Sequence, residues 1–154
     1  MLWNILQAHG GSLPDGVVVC FQNTGLEHEK TLEFIRDVEA KWGVPITWLE
    51  ASTEYEEGRK SPHTYKVVDF CTASRNGEPF EALIKARQML PTVMARFCTV
   101  ELKMRTLKRY LKQKFGWTEY DVAIGIRADE PRRVARMKGD HKGENPVMPI
   151  ARAG

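Results

Sequence analysis

Cysteine is scarce in this sequence. Cys20, Cys71 and Cys98 are the three, and no two of them form a Cys-x-x-Cys pair. An odd and scattered set provides no disulfide framework and no paired ligands for an iron–sulfur cluster, and it fits a reducing cytoplasm. Histidine is almost as sparse. His9, His28, His63 and His141 stand apart from one another, without the spacing of a zinc site, and each reads as structural or solvated. No apolar run approaches the roughly 20 residues of a membrane helix. The stretch after Met1 has no basic n-region and no small-residue cleavage site, so no secretory leader is expected. Net charge is small, +3 from 23 basic and 20 acidic residues, which is too little to argue for nucleic acid by itself. Gly-x-Gly-x-x-Gly, the Walker loop and Gly-x-Ser-x-Gly are all absent, as are internal repeats and low-complexity tracts.

What is present suits one ordinary soluble domain. In 154 residues, 42% are hydrophobic and 28% charged, enough apolar material for a core. The chain opens within a helix, with Leu2, Ile5 and Leu6 at helical spacing and Gly10-Gly11 ending it. Val17 to Phe21 is a continuous apolar run, which predicts a strand buried on both faces. Asn23-Thr24-Gly25 turns the chain into a helix with Leu32, Ile35, Val38 and Trp42 on one face, closed by Gly43. Ile46 to Leu49 predicts a second strand. Strand, helix, strand at this spacing is a βαβ unit, hence parallel strands.

Farther along, residues 51–64 read as a polar loop, Tyr65 to Phe70 as a short strand and Phe80 to Met89 as a helix. A longer helix is predicted from Thr99 to Phe115. Met104, Leu107, Leu111 and Phe115 form its apolar stripe, and Lys103, Arg105, Lys108, Arg109, Lys112 and Lys114 its basic face. Asp121 to Ile126 predicts a third buried strand. The pattern is α/β, with a parallel sheet expected at the centre of a single domain over 1–154.

Ligands of open α/β sheets bind beyond the carboxyl ends of the strands, and three segments fall there. Asn23-Thr24-Gly25 follows the first strand, where Gly25 permits close backbone approach; an ordinary capped turn explains the same residues. Arg96-Phe97-Cys98-Thr99, with Lys103 one turn on, offers a guanidinium, a hydroxyl and free N–H groups for a sulfate or phosphate. Cys98 there would have a lowered pKa and be reactive, although a buried cysteine on a basic surface helix fits equally. Gly125 to Glu130 ends the third strand, with Arg132, Arg133 and Arg136 beyond; Arg127 and its neighbours suit oxyanions, and a solvated charge run is the alternative.

Taken in order, VVVCFQNTG (Val17 to Gly25), GVPITWLE (Gly43 to Glu50), RFCTVELK (Arg96 to Lys103) and GIRADEPRR (Gly125 to Arg133) resemble the phosphoadenosine phosphosulfate (PAPS) reductase family, in particular reductase-like proteins of phages and bacteria. The resemblance runs across nearly the whole chain. It implies a Rossmann-like parallel sheet of the adenine nucleotide alpha hydrolase type. It would set Asn23, Thr24 and Gly25 near the nucleotide, and Arg96, Thr99, Lys103, Arg127 and Arg133 at its phosphosulfate or polyphosphate end. Cys98 is then the candidate catalytic thiol. No bound cofactor is implied; the nucleotide substrate would be PAPS, adenosine phosphosulfate or Mg-ATP, and the partner a thioredoxin-like reductant or a nucleic acid, with no membrane involved.

The sequence departs from that family at both ends. The family's first strand and its Ser-Gly-Gly-x-x-Ser phosphate loop have no counterpart, and neither does the Glu-Cys-Gly-Leu-His tail with its catalytic cysteine. The expectation is therefore a partial domain, lacking its first strand and carboxyl-terminal part. Three activities follow from the resemblance: thiol-dependent reduction or sulfur transfer on an adenylyl sulfate nucleotide, ATP-pyrophosphatase-type sulfur transfer in tRNA or DNA thiolation, and a non-catalytic binding remnant.

Overall fold

The computed structural model describes residues 1–52, 64–92, 94–126, 129–136 and 144–147. In chain order the elements are α1 (Leu2–Ala8), β1 (Val19–Asn23), α2 (Glu29–Trp42), β2 (Ile46–Ser52), β3 (Thr64–Val68), α3 (Glu78–Arg87), α4 (Phe97–Thr99), a π-helical stretch (Val100–Arg105), α5 (Thr106–Phe115), β4 (Tyr120–Ala123), α6 (Pro131–Arg136) and β5 (Glu144–Val147). They fall into two compact units, Gly16–Phe115 and the two ends of the chain, Met1–Asp15 with Gly116–Gly154. The fold is mixed α/β.

In the Gly16–Phe115 unit the sheet order is β1-β2-β3. β1 and β2 run parallel, with Val19 opposite Ile46 and Asn23 opposite Glu50, as the βαβ spacing predicts. β3 runs antiparallel to β2, so the sheet is mixed where a parallel one was expected. β2 is the central strand and is buried almost throughout. β1 sits at the edge of this sheet. That explains why its apolar run is only half-buried, and why the strand begins at Val19 and leaves Val17 exposed.

α2 forms on the predicted face. Leu32 and Val38 are buried, and Gly43 ends the helix at φ 62°, a left-handed conformation that suits glycine. His28 finds a structural use at its start, where Nδ1 accepts a hydrogen bond from the Lys30 N–H. Around β2, the Phe21 and Trp48 rings meet edge to face at 5.0 Å, and Trp48 meets Phe70 at 6.3 Å. Leu32, Leu49, Leu83 and Leu102 are essentially sealed from solvent, each contributing about 1.5–3 kcal/mol of burial.

The long basic helix differs from its predicted form. It starts at Phe97, and the stretch Val100–Arg105 that follows its first turn is π-helical. The Thr106 Oγ1–H donates to the Glu101 carbonyl at 3.0 Å, five residues back, which fastens the widened turn. The extra width rotates the buried stripe. Leu102, Thr106, Tyr110 and Leu111 face inward, while Met104 and Phe115, predicted as part of the stripe, are exposed.

In the other unit, β4 pairs in parallel with β5, with Tyr120 opposite Glu144 and Ala123 opposite Val147. The expected third strand of a single central sheet is thus shorter, alternates between half-buried and exposed residues, and belongs to a separate two-stranded sheet. Ile126, just past its end, is buried. Among the described residues no helix is long and apolar enough to cross a membrane.

Candidate functional site

The parallel register of β1 and β2 brings two polar residues side by side at the carboxyl ends of the strands, Asn23 and Glu50, both sealed from solvent. Asn23 Nδ2 donates to Glu50 Oε1 at 2.7 Å and to the Ser74 carbonyl at 2.9 Å, while its Oδ1 accepts from the Gly25 N–H at 3.1 Å. Ser74 completes the cage, its N–H donating to Glu50 Oε1 at 2.6 Å and its Oγ–H to Oε2 at 2.8 Å. A buried carboxylate is costly unless its oxygens find donors. Here neutral donors from two other segments supply them, so β1, β2 and the β3–α3 connection are tied at one point.

Directly above this knot the β1–α2 turn lies against the start of α3. Gly25 has φ 80° and Gly77, which precedes α3, has φ 83°. The Gly77 N–H donates to the Gly25 carbonyl at 2.8 Å. A Cβ on Gly25 would lie 2.8 Å from Pro79 Cδ and 3.2 Å from Gly77 Cα. Glycine is required there for both its conformation and its bulk.

Thr24, half-buried, gives both of its donors to the same side chain: its N–H and Oγ1–H each reach Glu27 at 2.9 Å. Lys103 Nζ approaches Glu27 Oε1 at 3.6 Å from the π-helical stretch. Of the three segments singled out in the sequence, the second reaches the first through Lys103 alone. Asn23 and Gly25 shape the turn from inside, and Thr24 and Lys103 converge on Glu27. Arg96 stands exposed immediately before α4, with Thr99 exposed in its last position. Arg127 lies outside the described residues. Arg133 belongs to α6 in the other unit, where its backbone position alone is described.

The thiols differ in setting. Cys98 is half-buried and, with Phe97 and Phe80, packs against Ala51, Leu83 and Leu102. Cys20, in β1, is pushed up to about 11 by burial and is a poor nucleophile at neutral pH. Cys71 is exposed in the turn after β3. In that turn Asp69 Oδ1 accepts from the Cys71 and Thr72 N–H groups and the Thr72 hydroxyl, and the Thr72 bonds above all hold its carboxyl below the usual range. Among the described residues no group of three or more His, Cys, Asp and Glu side chains is placed to hold a metal ion.

Several residues escaped the sequence reading. Glu50 and Ser74 carry no local signal beyond a carboxylate closing an apolar strand. Glu101 is buried on the long helix and takes both Arg87 Nη2 and Arg105 Nη1 on Oε1. The four-residue spacing of Glu101 and Arg105 is the one clue available beforehand.

No family model matches the chain, and no solved structure matches it. Two phage proteins do. An uncharacterized nin region protein, ORF290, of Escherichia phage lambda is 35% identical over 120 residues, covering 77% of this chain and 41% of the relative. An uncharacterized 37.8 kDa protein in the gpa 5′ region of Escherichia phage 186 is 27% identical over 149 residues, covering 81% and 44%. The chain spans less than half the length of these relatives.

Proposed function

We propose that the chain is a PAPS reductase-like domain of the adenine nucleotide alpha hydrolase type, acting on an adenylyl sulfate nucleotide beyond the carboxyl ends of β1 and β2. The observation that carries this reading is the approach of Lys103 to Glu27 and, through Glu27, to Thr24. It joins a rigid βα turn to a cationic helix segment where open α/β sheets take ligands. The Gly25 turn would receive the nucleotide. Arg96, Thr99 and Lys103 would meet the phosphosulfate, the Arg96 guanidinium fork suiting its oxygens.

The chemistry would be thiol-dependent. A thiolate attacks the sulfur, the sulfur–oxygen bond to phosphate breaks, and the nucleotide leaves with the electron pair. Cys98 is the thiol nearest in sequence to the phosphosulfate-binding segment, and a thioredoxin-like partner would supply the reducing equivalents. A second reading, ATP-dependent sulfur transfer to tRNA or DNA, is favoured by the exposed Lys103, Arg105, Lys112 and Lys114 along one helix, which suit a phosphate backbone.

Calorimetric titration of the folded chain with PAPS, adenosine phosphosulfate and ATP tests the reading. One of the two sulfated nucleotides should bind, and Lys103→Gln should weaken it on the order of tenfold, the loss of one charge-assisted contact. Preference for Mg-ATP would select the second reading. Folded protein that binds none of the three would remove the nucleotide site altogether.

A further inference from the structure

Glu101 makes an unusual contact set. Its side chain is 2% exposed, yet it neutralises two arginines whose own side chains remain 35% (Arg87) and 52% (Arg105) exposed. Both guanidiniums end on the same oxygen, Oε1, Arg105 Nη1 at 2.6 Å. The other oxygen, Oε2, is buried and accepts no hydrogen bond among the described residues. A carboxylate can hold one guanidinium through two parallel bonds. Here each arginine instead gives a single nitrogen, and among the described residues the rest of each fork meets no other carboxylate. Arg87 is further fixed by stacking, with its guanidinium carbon 5.2 Å from the Phe97 ring centre.

The charge balance is one negative against two positive. Asp37 also takes two cations, Arg36 and Lys41, but that carboxylate is 43% exposed and solvent screens the group. At Glu101 the negative charge lies below the surface and the two positive ones lie above it, so an anion arriving from solvent meets guanidinium first. Two forks anchored on one oxygen are held side by side. That arrangement matches a compact anion with several oxygens better than charges spaced along a strand.

We infer that Arg87 and Arg105, held by Glu101, form a binding site for a small phosphate-class oxyanion, a terminal phosphate or pyrophosphate. This site is separate from the Lys103–Glu27 contact. Glu101 and Arg105 share one face of the helix at a four-residue interval, whereas Lys103 lies between them in sequence, on another face.

The test uses the 154-residue chain in low salt, titrated with inorganic phosphate and pyrophosphate while side-chain Nε–H resonances of arginine are followed by NMR. Arg87 and Arg105 resonances should shift with saturation. Arg87→Lys and Arg105→Lys keep the charge and lose the fork, and each should weaken pyrophosphate about tenfold. Lys41→Gln, which removes a cation elsewhere, should leave affinity unchanged. Circular dichroism confirms folding of each variant, and the lysine variants avoid the unpaired buried charge that replacing Glu101 would create. The inference is overturned if the lysine variants bind as the parent does, if Lys41→Gln loses as much, or if a single-stranded oligonucleotide moves the two resonances and pyrophosphate does not. None of these outcomes depends on whether an adenylyl nucleotide binds beyond β1 and β2.

Discussion

Replacing Gly25 with alanine probes the turn on which the proposed nucleotide site depends. Two costs are separable. The backbone at φ 80° is left-handed, which costs a residue with a Cβ about 1–2 kcal/mol. The new methyl would also stand 2.8 Å from Pro79 Cδ and 3.2 Å from Gly77 Cα, atoms of a ring and a main chain that cannot rotate away. Overpacking of this kind costs about 1–3 kcal/mol. Gly43→Ala supplies the reference. Its φ is 62°, and nothing lies within 4 Å of the Cβ position, so it carries the backbone cost alone. Urea unfolding followed by circular dichroism gives both values from the shift in midpoint at constant slope. Gly25→Ala should lose about 2–5 kcal/mol and Gly43→Ala about 1–2 kcal/mol. Equal losses would mean that the β1–α2 turn is not pressed against the start of α3, and the reasoning about the site's shape would fail with it.

Asn23→Ala deletes the amide that both bonds Glu50 and accepts from Gly25. Leaving those groups unmatched in a sealed site should cost about 2–4 kcal/mol, read from the same unfolding curves. A maleimide titration at neutral pH, mapped by mass spectrometry, should label exposed Cys71 first and Cys20 last, because burial keeps Cys20 protonated. The same shift gives a pH dependence. The unfolded thiol ionises near its ordinary value, the folded one only near 11, so the unfolded state binds fewer protons between them. This thiol therefore leaves stability unchanged below pH about 9 and lowers it as pH rises from there toward 11, a loss that Cys20→Ser should abolish.

Local signals in the sequence were sufficient where structure is local. The apolar run, the Asn23-Thr24-Gly25 turn, the stripe of α2 and its glycine stop are all encoded within a few residues. The first two strands and the crossover between them therefore form in the expected order. Burial depends on neighbours that sequence does not name. β1 lies at the edge of the described sheet, so its apolar run is half-exposed. Asp121 to Ile126 carries the same kind of run, yet only its first part forms a strand, and that strand, Tyr120–Ala123, pairs with Glu144–Val147 in another sheet. The polar knot was illegible for a related reason. Asn23, Glu50 and Ser74 meet only because strand register and a later turn align them, and each residue alone is unremarkable. The long helix misled in a third way. A 3.6-residue period selects Met104 and Phe115 as core, and the π-helical turn shifts the inward face to Leu102, Thr106 and Tyr110.

That shift bears on how one helix can serve two places. Thr106 holds its hydroxyl on the Glu101 carbonyl, and the widened turn between them carries Lys103. Widening spreads successive side chains differently around the axis than an α-helix does. Glu101 is thereby sunk into the protein with Arg105 above it, while Lys103 remains free to lean toward Glu27 at the β1–α2 turn. Glu50 and Glu101 are both carboxylates removed from water, but their partners assign them different work. Among the described residues Glu50 takes its bonds from neutral donors and closes a knot, so its charge is used inside the fold. Glu101 is overmatched by two arginines that stay at the surface, so positive charge is left over for something outside it. A buried acid that serves only stability needs no such surplus, and it is the surplus at Glu101 that directs attention to the solvent side of Arg87 and Arg105.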